Sequence, residues 1–306
     1  MATSKQQLRG VIPILPTPFR SDETVDDIAL GKLVDFAISH GAAAVGTPAF
    51  GSEFYKLDGA ERTKIVEAVI EKAAGRIPVI VQCNHILPKI AGQMAVEAEK
   101  MGATMINTAL PRSFPVSDGQ LVDYARTVSD CVSIPVIVQD WNPNGASVGA
   151  EFAVRLKKHC PHFFALKLEE PGIGPRIRAI REETGESVEI FAGWGGLHLL
   201  ELRPSGLAGF MPGLSLIDVF AWIWNDVEDE DRAYELFARI SPFIQFSLQT
   251  FEQFHHAEKR LLHARGVLDS AVVRTPTLIL NPDADRYLEL LIRQMMRFLK
   301  TEAKSK

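Results

Sequence analysis

Eight short apolar runs are the feature of this sequence that most limits its possible folds. The runs are GVIPILP (10–16), AAAVGTP (42–48), PVIVQC (78–83), TMINTAL (104–110), PVIVQD (135–140), FFALKL (163–168), VEIFAG (188–193) and LAGFMP (207–212). Most of them are apolar at successive positions, which is typical of parallel strands covered on both faces. Amphipathic segments follow nearly all of them, so the sequence predicts parallel strands that alternate with helices.

The number of runs separates two possible architectures. Eight strands, nearly all followed by a helix, fit a (β/α)8 TIM barrel. A doubly wound open sheet is the second interpretation, but it normally has fewer strands and a point where the strand order reverses. From about residue 229 the pattern is helical only. We therefore predict a barrel over residues 1–228 and an extension of additional C-terminal helices over residues 229–306, packed on the barrel as one structural unit.

Local signals support the helices between the runs. Asp58 with Glu61, and Ser117 with Gln120, have the spacing of a capping box, in which each side chain bonds the backbone N–H of the other residue. The segment 88–101 has apolar residues at helical spacing and is followed by a glycine, a common residue just after a helix.

Composition narrows the class of partner. The chain has 306 residues, of which 46% are hydrophobic and 23% charged, and a net charge of -5. It has no basic stripe, no apolar run long enough to span a bilayer and no apolar signal sequence in its polar N-terminus, so we expect no nucleic-acid or membrane partner. Cys83, Cys131 and Cys160 are scattered and odd in number, which favours a reduced, cytoplasmic protein.

One lysine interrupts the sixth run. The stretch FFALKLEEPG (163–172) surrounds Lys167 with apolar residues. Burying a charged amine costs several kcal/mol, so such a group tends to lose its proton, and a neutral amine attacks carbonyl groups to form a Schiff base. The other interpretation is a lysine that pairs with Glu169 or Glu170, or whose amine reaches solvent at the barrel rim. The residue pattern leaves both interpretations open.

Other candidates follow from the rule that active sites of such barrels lie at the C-terminal ends of the strands. They are Gly51, Ser52 and Glu53 after the second run, Arg112 and Ser113 after the fourth, Gln139 on the fifth, Gly193 after the seventh and Met211 on the eighth. The turn at Gly51 can present backbone N–H groups to a carboxylate, although turn formation explains it equally well. Glu53 can equally be a buried carboxylate that ties its loop, and Arg112 can meet an acidic substrate or a surface carboxylate. The histidines show no HxH or HExxH spacing, so no metal site is predicted.

These residues stand in motifs that resemble one family. The motifs are PTPF (16–19), Glu53 followed by ER (61–62), GRIPVIV (75–81), IPVIVQD (134–140), ALKLEE (165–170) and RTP (274–276). Together they resemble the dihydrodipicolinate synthase / N-acetylneuraminate lyase family. The resemblance implies a (β/α)8 barrel, a homotetramer, and a lysine on strand six that forms a Schiff base with pyruvate or another 2-keto acid, without a separate cofactor. Lys167 occupies that position.

The chain also departs from the family pattern. Ala49-Phe50-Gly51-Ser52-Glu53 stands where the family usually has Gly-Thr-Thr-Gly-Glu, and Gln139 replaces the tyrosine of strand five. The motifs VQD, KLEEPG and SEF resemble the subgroup of 2-keto-3-deoxy-L-arabinonate dehydratases. Because an amide neither accepts nor gives protons near pH 7, Gln139 favours elimination of water over retro-aldol cleavage, with Gln139 orienting a hydroxyl group.

The resemblance leaves several functions open. The first is dehydration of a 2-keto-3-deoxy sugar acid. The alternatives are a pyruvate-dependent aldolase or a dihydrodipicolinate synthase-like enzyme, a pyrroline-hydroxycarboxylate deaminase, and a non-catalytic relative that only binds a keto acid. A metal-dependent aldolase is the least favoured.

Overall fold

Each of the eight apolar runs contains a strand, and the strands form the predicted (β/α)8 barrel. The structure is a computed structural model that describes residues 8–142, 145–226 and 229–302. The strands are β1 (Gly10–Val11), β2 (Val45–Thr47), β3 (Val79–Gln82), β4 (Met105–Ala109), β5 (Val136–Asp140), β6 (Phe163–Leu168), β7 (Glu189–Ala192) and β8 (Gly209–Phe210). They pair in parallel in the order β1-β8-β7-β6-β5-β4-β3-β2, and a bridge between Ile14 and Gly46 joins the two ends of the sheet. The sheet is therefore closed.

Helices follow the strands and cover the barrel. They are α1 (Asp27–Ser39), α2 (Gly59–Ala73), α3 (Pro88–Met101), α4 (Asp118–Ser129), α5 (Ala150–His159), α6 (Gly174–Thr184), α7 (Leu199–Leu202) and α8 (Ile217–Asn225). Both predicted capping boxes are present, at the starts of α2 and α4, and α3 ends at Gly102.

The barrel interior is apolar at its base and polar towards the carboxyl ends of the strands. Ile80, Met105, Ile137, Ala165 and Phe191 belong to the apolar cluster inside the barrel. Alternate residues on a strand point to the same face. The residues two positions after the first four are Gln82, Asn107, Gln139 and Lys167, and all four are buried. The sequence thus places a polar layer directly above the apolar one.

Three further helices follow the barrel: α9 (Glu230–Ser247), α10 (Phe251–Ala264) and α11 (Pro282–Glu302). Lys259 of α10 is fully buried and forms an ion pair with Glu53, which follows β2, so the extension packs on the barrel. The predicted boundary at residue 228 lies outside the described residues. In the described part of the chain, no helix is both long enough and apolar enough to cross a membrane.

Candidate active site

Five polar side chains meet inside the barrel. The Gln139 oxygen accepts hydrogen bonds from Gln82 Nε2 at 2.7 Å and from Asn107 Nδ2 at 2.9 Å. The Gln139 Nε2 donates to Glu169 Oε2, and Lys167 Nζ lies 3.2 Å from Glu169 Oε1. The interior network therefore ends at a lysine–carboxylate pair on the carboxyl side of β6.

The lysine–carboxylate pair opens into a cavity of about 260 Å³ at the carboxyl end of the barrel. The cavity is lined by Ile14, Ala49, Phe50, Gly51, Trp141, Lys167, Glu169, Trp194, Gly195, Met211, Pro212, Gly213, Leu248, Gln249, Thr250, Phe251 and Phe254. Among these lining residues, Lys167 and Glu169 are the ones with ionisable side chains. That pair is therefore the candidate for nucleophilic or acid–base chemistry in this cavity.

Lys167 combines the two environments that the sequence left open. Its side chain is inside the barrel and the residue is only 4% exposed. Its amine is also paired with Glu169, as the second interpretation required. Because both groups line the cavity, a carbonyl compound in that space has access to the amine and to a neighbouring proton acceptor.

Glu169 is held in place by Lys167, Gln139 and the backbone of Trp194. Gln139 donates to one of its oxygens, while the backbone N–H of Trp194 donates to the other at 3.3 Å. A Cβ atom at Gly193 would lie 2.0 Å from Glu169 Oε1, so this position must be glycine for the carboxylate to sit there. Gly193, a strand-end candidate from the sequence, thus makes room for Glu169.

Gln139 faces the interior, whereas Asp140, the next residue, faces outwards. Gln139 is buried below the cavity and is absent from its described lining. Its amide bonds Gln82, Asn107 and Glu169. These contacts make Gln139 a residue that positions Glu169, and the predicted contact with a substrate hydroxyl has no support in this geometry.

The remaining candidates divide between the cavity and its surroundings. Gly51 and Met211 line the cavity. The Ser52 hydroxyl is fully buried, donates to Leu15 O and accepts from Ala49 N at 2.9 Å, so it secures the loop. Glu53 is fully buried and bonds Lys259, so it ties the loop instead of facing the cavity.

Arg112 and Ser113 are also outside the described cavity lining. Arg112 forms a two-point ion pair with Asp140, with nitrogen–oxygen distances of 2.8 and 2.7 Å. Asp140 is fully buried, so this arginine ties the loop after β4 to the end of β5. Ser113 is exposed. The structure therefore does not place either residue against a substrate.

The aromatic wall of the cavity was not predicted from the sequence. It consists of Phe50, Trp141, Trp194, Phe251 and Phe254. Trp141 directly follows β5 and Trp194 follows β7, so the strand-end rule had the information to find them. Phe251 and Phe254 lie on α10, and their place depends on how that helix packs.

Other chemistry has little support in the described residues. They contain no group of three or more His, Cys, Asp or Glu side chains able to hold a metal ion. Cys83 is buried and burial raises its pKa, which is the opposite of what a reactive thiolate needs.

Comparison with known proteins gives one family over nearly the whole chain. The model of the Dihydrodipicolinate synthetase family matches residues 7–295. An L-2-keto-3-deoxyarabonate dehydratase of Azospirillum brasilense is 27% identical over 303 residues, covering 96% of each chain. A 4-hydroxy-tetrahydrodipicolinate synthase of Chlorobium phaeobacteroides (strain BS1) is 26% identical over 296 residues, covering 95% of this chain and 98% of the relative.

Solved structures agree with the barrel. The dihydrodipicolinate synthase of Rhodopseudomonas palustris superposes with a TM-score of 0.87 at 24% identity, covering 94% of this chain and 98% of the other. The N-acetylneuraminate lyase of Fusobacterium nucleatum gives a TM-score of 0.84 at 16% identity, covering 94% and 99%. At these identities the structures support the fold alone.

Proposed function

The chain belongs to the dihydrodipicolinate synthetase family, as its motifs indicated, and from that premise we propose that it is a lyase that forms a Schiff base between Lys167 and a 2-keto acid. The proposal rests on one observation above all. Lys167 is a buried lysine whose amine meets a cavity and a carboxylate at the carboxyl end of a barrel strand. The reaction that this geometry favours is dehydration of a 4-hydroxy-2-keto acid, of which the 2-keto-3-deoxy sugar acids are the reference class.

The first step joins the Lys167 nitrogen to C2 of the substrate. The amine must be without its extra proton to attack, and Glu169 Oε1, 3.2 Å away, is placed to accept that proton. Glu169 then returns this proton to the C2 oxygen, which leaves as water, so Glu169 is a carboxylate again. The resulting protonated imine withdraws electrons from C3 and makes its protons acidic.

The second step removes a proton from C3 and the hydroxyl group from C4. Glu169 is the carboxylate among the described lining residues, so we assign it both transfers: it takes the C3 proton and then donates a proton to the leaving hydroxyl. A double bond forms between C3 and C4, and hydrolysis of the imine frees Lys167. Gln139 and Trp194 hold the carboxylate in position through both transfers.

The side chains present favour elimination over cleavage between C3 and C4. Cleavage requires a base on the C4 hydroxyl, and the position on β5 that faces the interior holds Gln139, whose amide cannot take that proton. The similarity to an L-2-keto-3-deoxyarabonate dehydratase points in the same direction.

Borohydride reduction in the presence of pyruvate tests the proposal. We expect a mass increase of one reduced pyruvate adduct, located at Lys167 by peptide mapping. Absence of an adduct at saturating pyruvate would overturn the Schiff base. A panel of 4-hydroxy-2-keto acids, followed for release of pyruvate, ammonia or an unsaturated or semialdehyde product, then separates dehydration from aldol cleavage and deamination.

Glu169→Gln tests the proton transfers. We expect kcat for dehydration to fall by about 10²–10⁴-fold, the usual contribution of a general acid or base, while borohydride still traps a keto acid after long incubation. Glu170→Gln is the matched control, because Glu170 bonds Arg176 and Ser147 N and is absent from the described cavity lining. Equal losses in the two variants would contradict the role of Glu169.

A further inference from the structure

The mouth of the cavity is built from three aromatic rings that come from three separate segments. Phe50 lies in the turn after β2, Trp141 follows β5, and Phe251 begins α10. The Phe50 and Phe251 rings are stacked, with centroids 5.5 Å apart and an interplanar angle of 13°. Trp141 contacts both, at 5.8 Å from Phe50 and 5.3 Å from Phe251. Three loops therefore converge to form one apolar surface.

Most of the remaining lining side chains are apolar as well. Trp194, Met211, Leu248 and Phe254 contribute further apolar surface. The polar lining side chains other than the lysine–carboxylate pair are Gln249 and Thr250, which are both exposed, and Thr250 accepts the N–H of Gln253 at 3.0 Å as the N-cap of α10. Hydroxyl groups seated directly against the three rings would have no partner on those rings, and each unpaired buried hydroxyl costs about 1–3 kcal/mol.

From this arrangement we propose that the preferred substrate carries a flat apolar group, such as a phenyl ring, on C4, seated against Phe50, Trp141 and Phe251. This inference rests on the proposed function, since it assumes a keto acid joined to Lys167. A cavity of about 150 Å³ suffices for a benzene ring, and this cavity measures about 260 Å³. It has room for a phenyl group beside the keto-acid head.

The reaction remains the same elimination. With 4-hydroxy-4-phenyl-2-oxobutanoate, the C3–H bond and the C4–O bond break, a C3–C4 double bond forms, and one water molecule is lost in total. The product, 2-oxo-4-phenylbut-3-enoate, has a double bond conjugated with both the ring and the ketone. Its ultraviolet absorption provides a direct assay.

The experiment measures binding at Lys167 separately from turnover. The concentration that gives half-maximal borohydride trapping is measured for 2-oxobutanoate and for 2-oxo-4-phenylbutanoate, which lacks the leaving hydroxyl. We expect the phenyl compound to trap at a concentration at least about tenfold lower, since apolar groups of this kind discriminate by about 10–200-fold. Equal or weaker trapping of the phenyl compound overturns the inference.

Variants locate the effect. Phe251→Ala and Trp141→Ala are expected to remove the preference, so that the half-maximal trapping concentrations of the two compounds come within about twofold of each other. Tyr234→Ala is the control, because Tyr234 is 66% exposed on α9 and absent from the described cavity lining. A preference that survives both variants, or a loss shared by both compounds, contradicts the proposed seat.

Two different failures remain distinguishable. No adduct with either compound in the unmodified protein overturns the Schiff base, and with it the inference. An adduct with 2-oxobutanoate and faster turnover of a 2-keto-3-deoxypentonate than of the phenyl substrate keeps the proposed function and overturns only the apolar specificity.

Discussion

Two lysines are buried among the described residues, and each faces a glutamate, yet their surroundings are opposite. Lys167 pairs with Glu169 beside an open cavity. Lys259 is completely buried and pairs with Glu53 in a closed environment. The two pairs allow the requirements for a reactive amine to be separated from the requirements for a stable one.

The Lys259 amine is surrounded by protein groups, and Lys259 is absent from the described lining of the cavity that Lys167 faces. It donates to Glu53 and to Val272 O at 2.9 Å, and its nitrogen lies 4.3 Å from the centre of the Phe19 ring. Burial lowers its pKa to about 8 although Glu53 opposes the change. A lowered pKa alone therefore does not distinguish the proposed Schiff-base lysine; its contact with the cavity is the feature that separates Lys167 from Lys259.

Lys167→Met gives the largest expected effect. We expect turnover and borohydride trapping to disappear, because methionine offers no nitrogen for the imine. The fold should persist, since Glu169 keeps its bonds from Gln139 and Trp194 N. Mass spectrometry and the urea unfolding midpoint measure the two effects. Residual trapping at another lysine would show that the comparison is wrong.

Lys259→Met should have the opposite effect to Lys167→Met: it should lower the stability of the fold and leave borohydride trapping at Lys167 in place. It leaves Glu53 with Lys56 at 3.1 Å and Arg274 N at 3.2 Å, and removal of one partner from a buried ion pair costs about 3–5 kcal/mol. Chemical denaturation measures the loss, while the folded fraction should still trap pyruvate at Lys167. The double variant Lys259→Met with Glu53→Gln is the control, because it removes both charges; we expect it to recover part of the stability.

His255 gives a smaller, pH-dependent effect in the same closed region. It is fully buried, its Nε2 lies 3.0 Å from the Tyr55 hydroxyl, and burial lowers its pKa from 6.5 to about 4. The unfolded chain therefore binds more protons than the folded chain between these two values, so stability present above pH 6.5 is lost as the pH falls towards 4.

At about 1.4 kcal/mol per pKa unit, the change of the His255 pKa from 6.5 to about 4 corresponds to a loss of about 3–4 kcal/mol. Denaturation curves across this pH range measure it, and His255→Gln should flatten the profile there. An unchanged profile between pH 6.5 and 4 would contradict this role of His255. Glu252 acts at lower pH: although burial opposes the change, bonds from Lys56, Thr277 and Tyr55 lower its pKa from 4.5 to about 2, so its contribution to stability is lost below pH 4.5.

The contrast also explains what the sequence could predict. Lys167 stood out because every neighbour in its run was apolar, and the strand period placed it above Ala165. Lys259 lies in the stretch HHAEKRLLHA, which has the charge content of an ordinary exposed helix, and its partner Glu53 is 206 residues away in the sequence. The local sequence pattern is enough to predict the barrel strands and their inward-facing residues, whereas the contacts between the barrel and α10 depend on tertiary packing.

The same limit applies to the cavity. The strand-end rule identified Lys167, Gly51 and Met211, all of which line it. It could not tell that Arg112 would bond Asp140, because the conformation of the loop after β4 decides where the arginine reaches β5. Phe251 and Phe254 belong to a helix whose apolar residues, taken alone, indicate only that it packs on something.

The turn from Phe50 to Glu53 affects how the substrate specificity of this protein can evolve. Its first two residues line the cavity, and its last two form buried hydrogen bonds with Leu15 and Lys259. Under the proposed function, replacing Phe50 can change which compound is accepted, while the buried bonds of Ser52 and Glu53 and the position of Lys167 stay the same. Single substitutions at this turn can therefore change the substrate preference without altering the proposed Schiff-base chemistry.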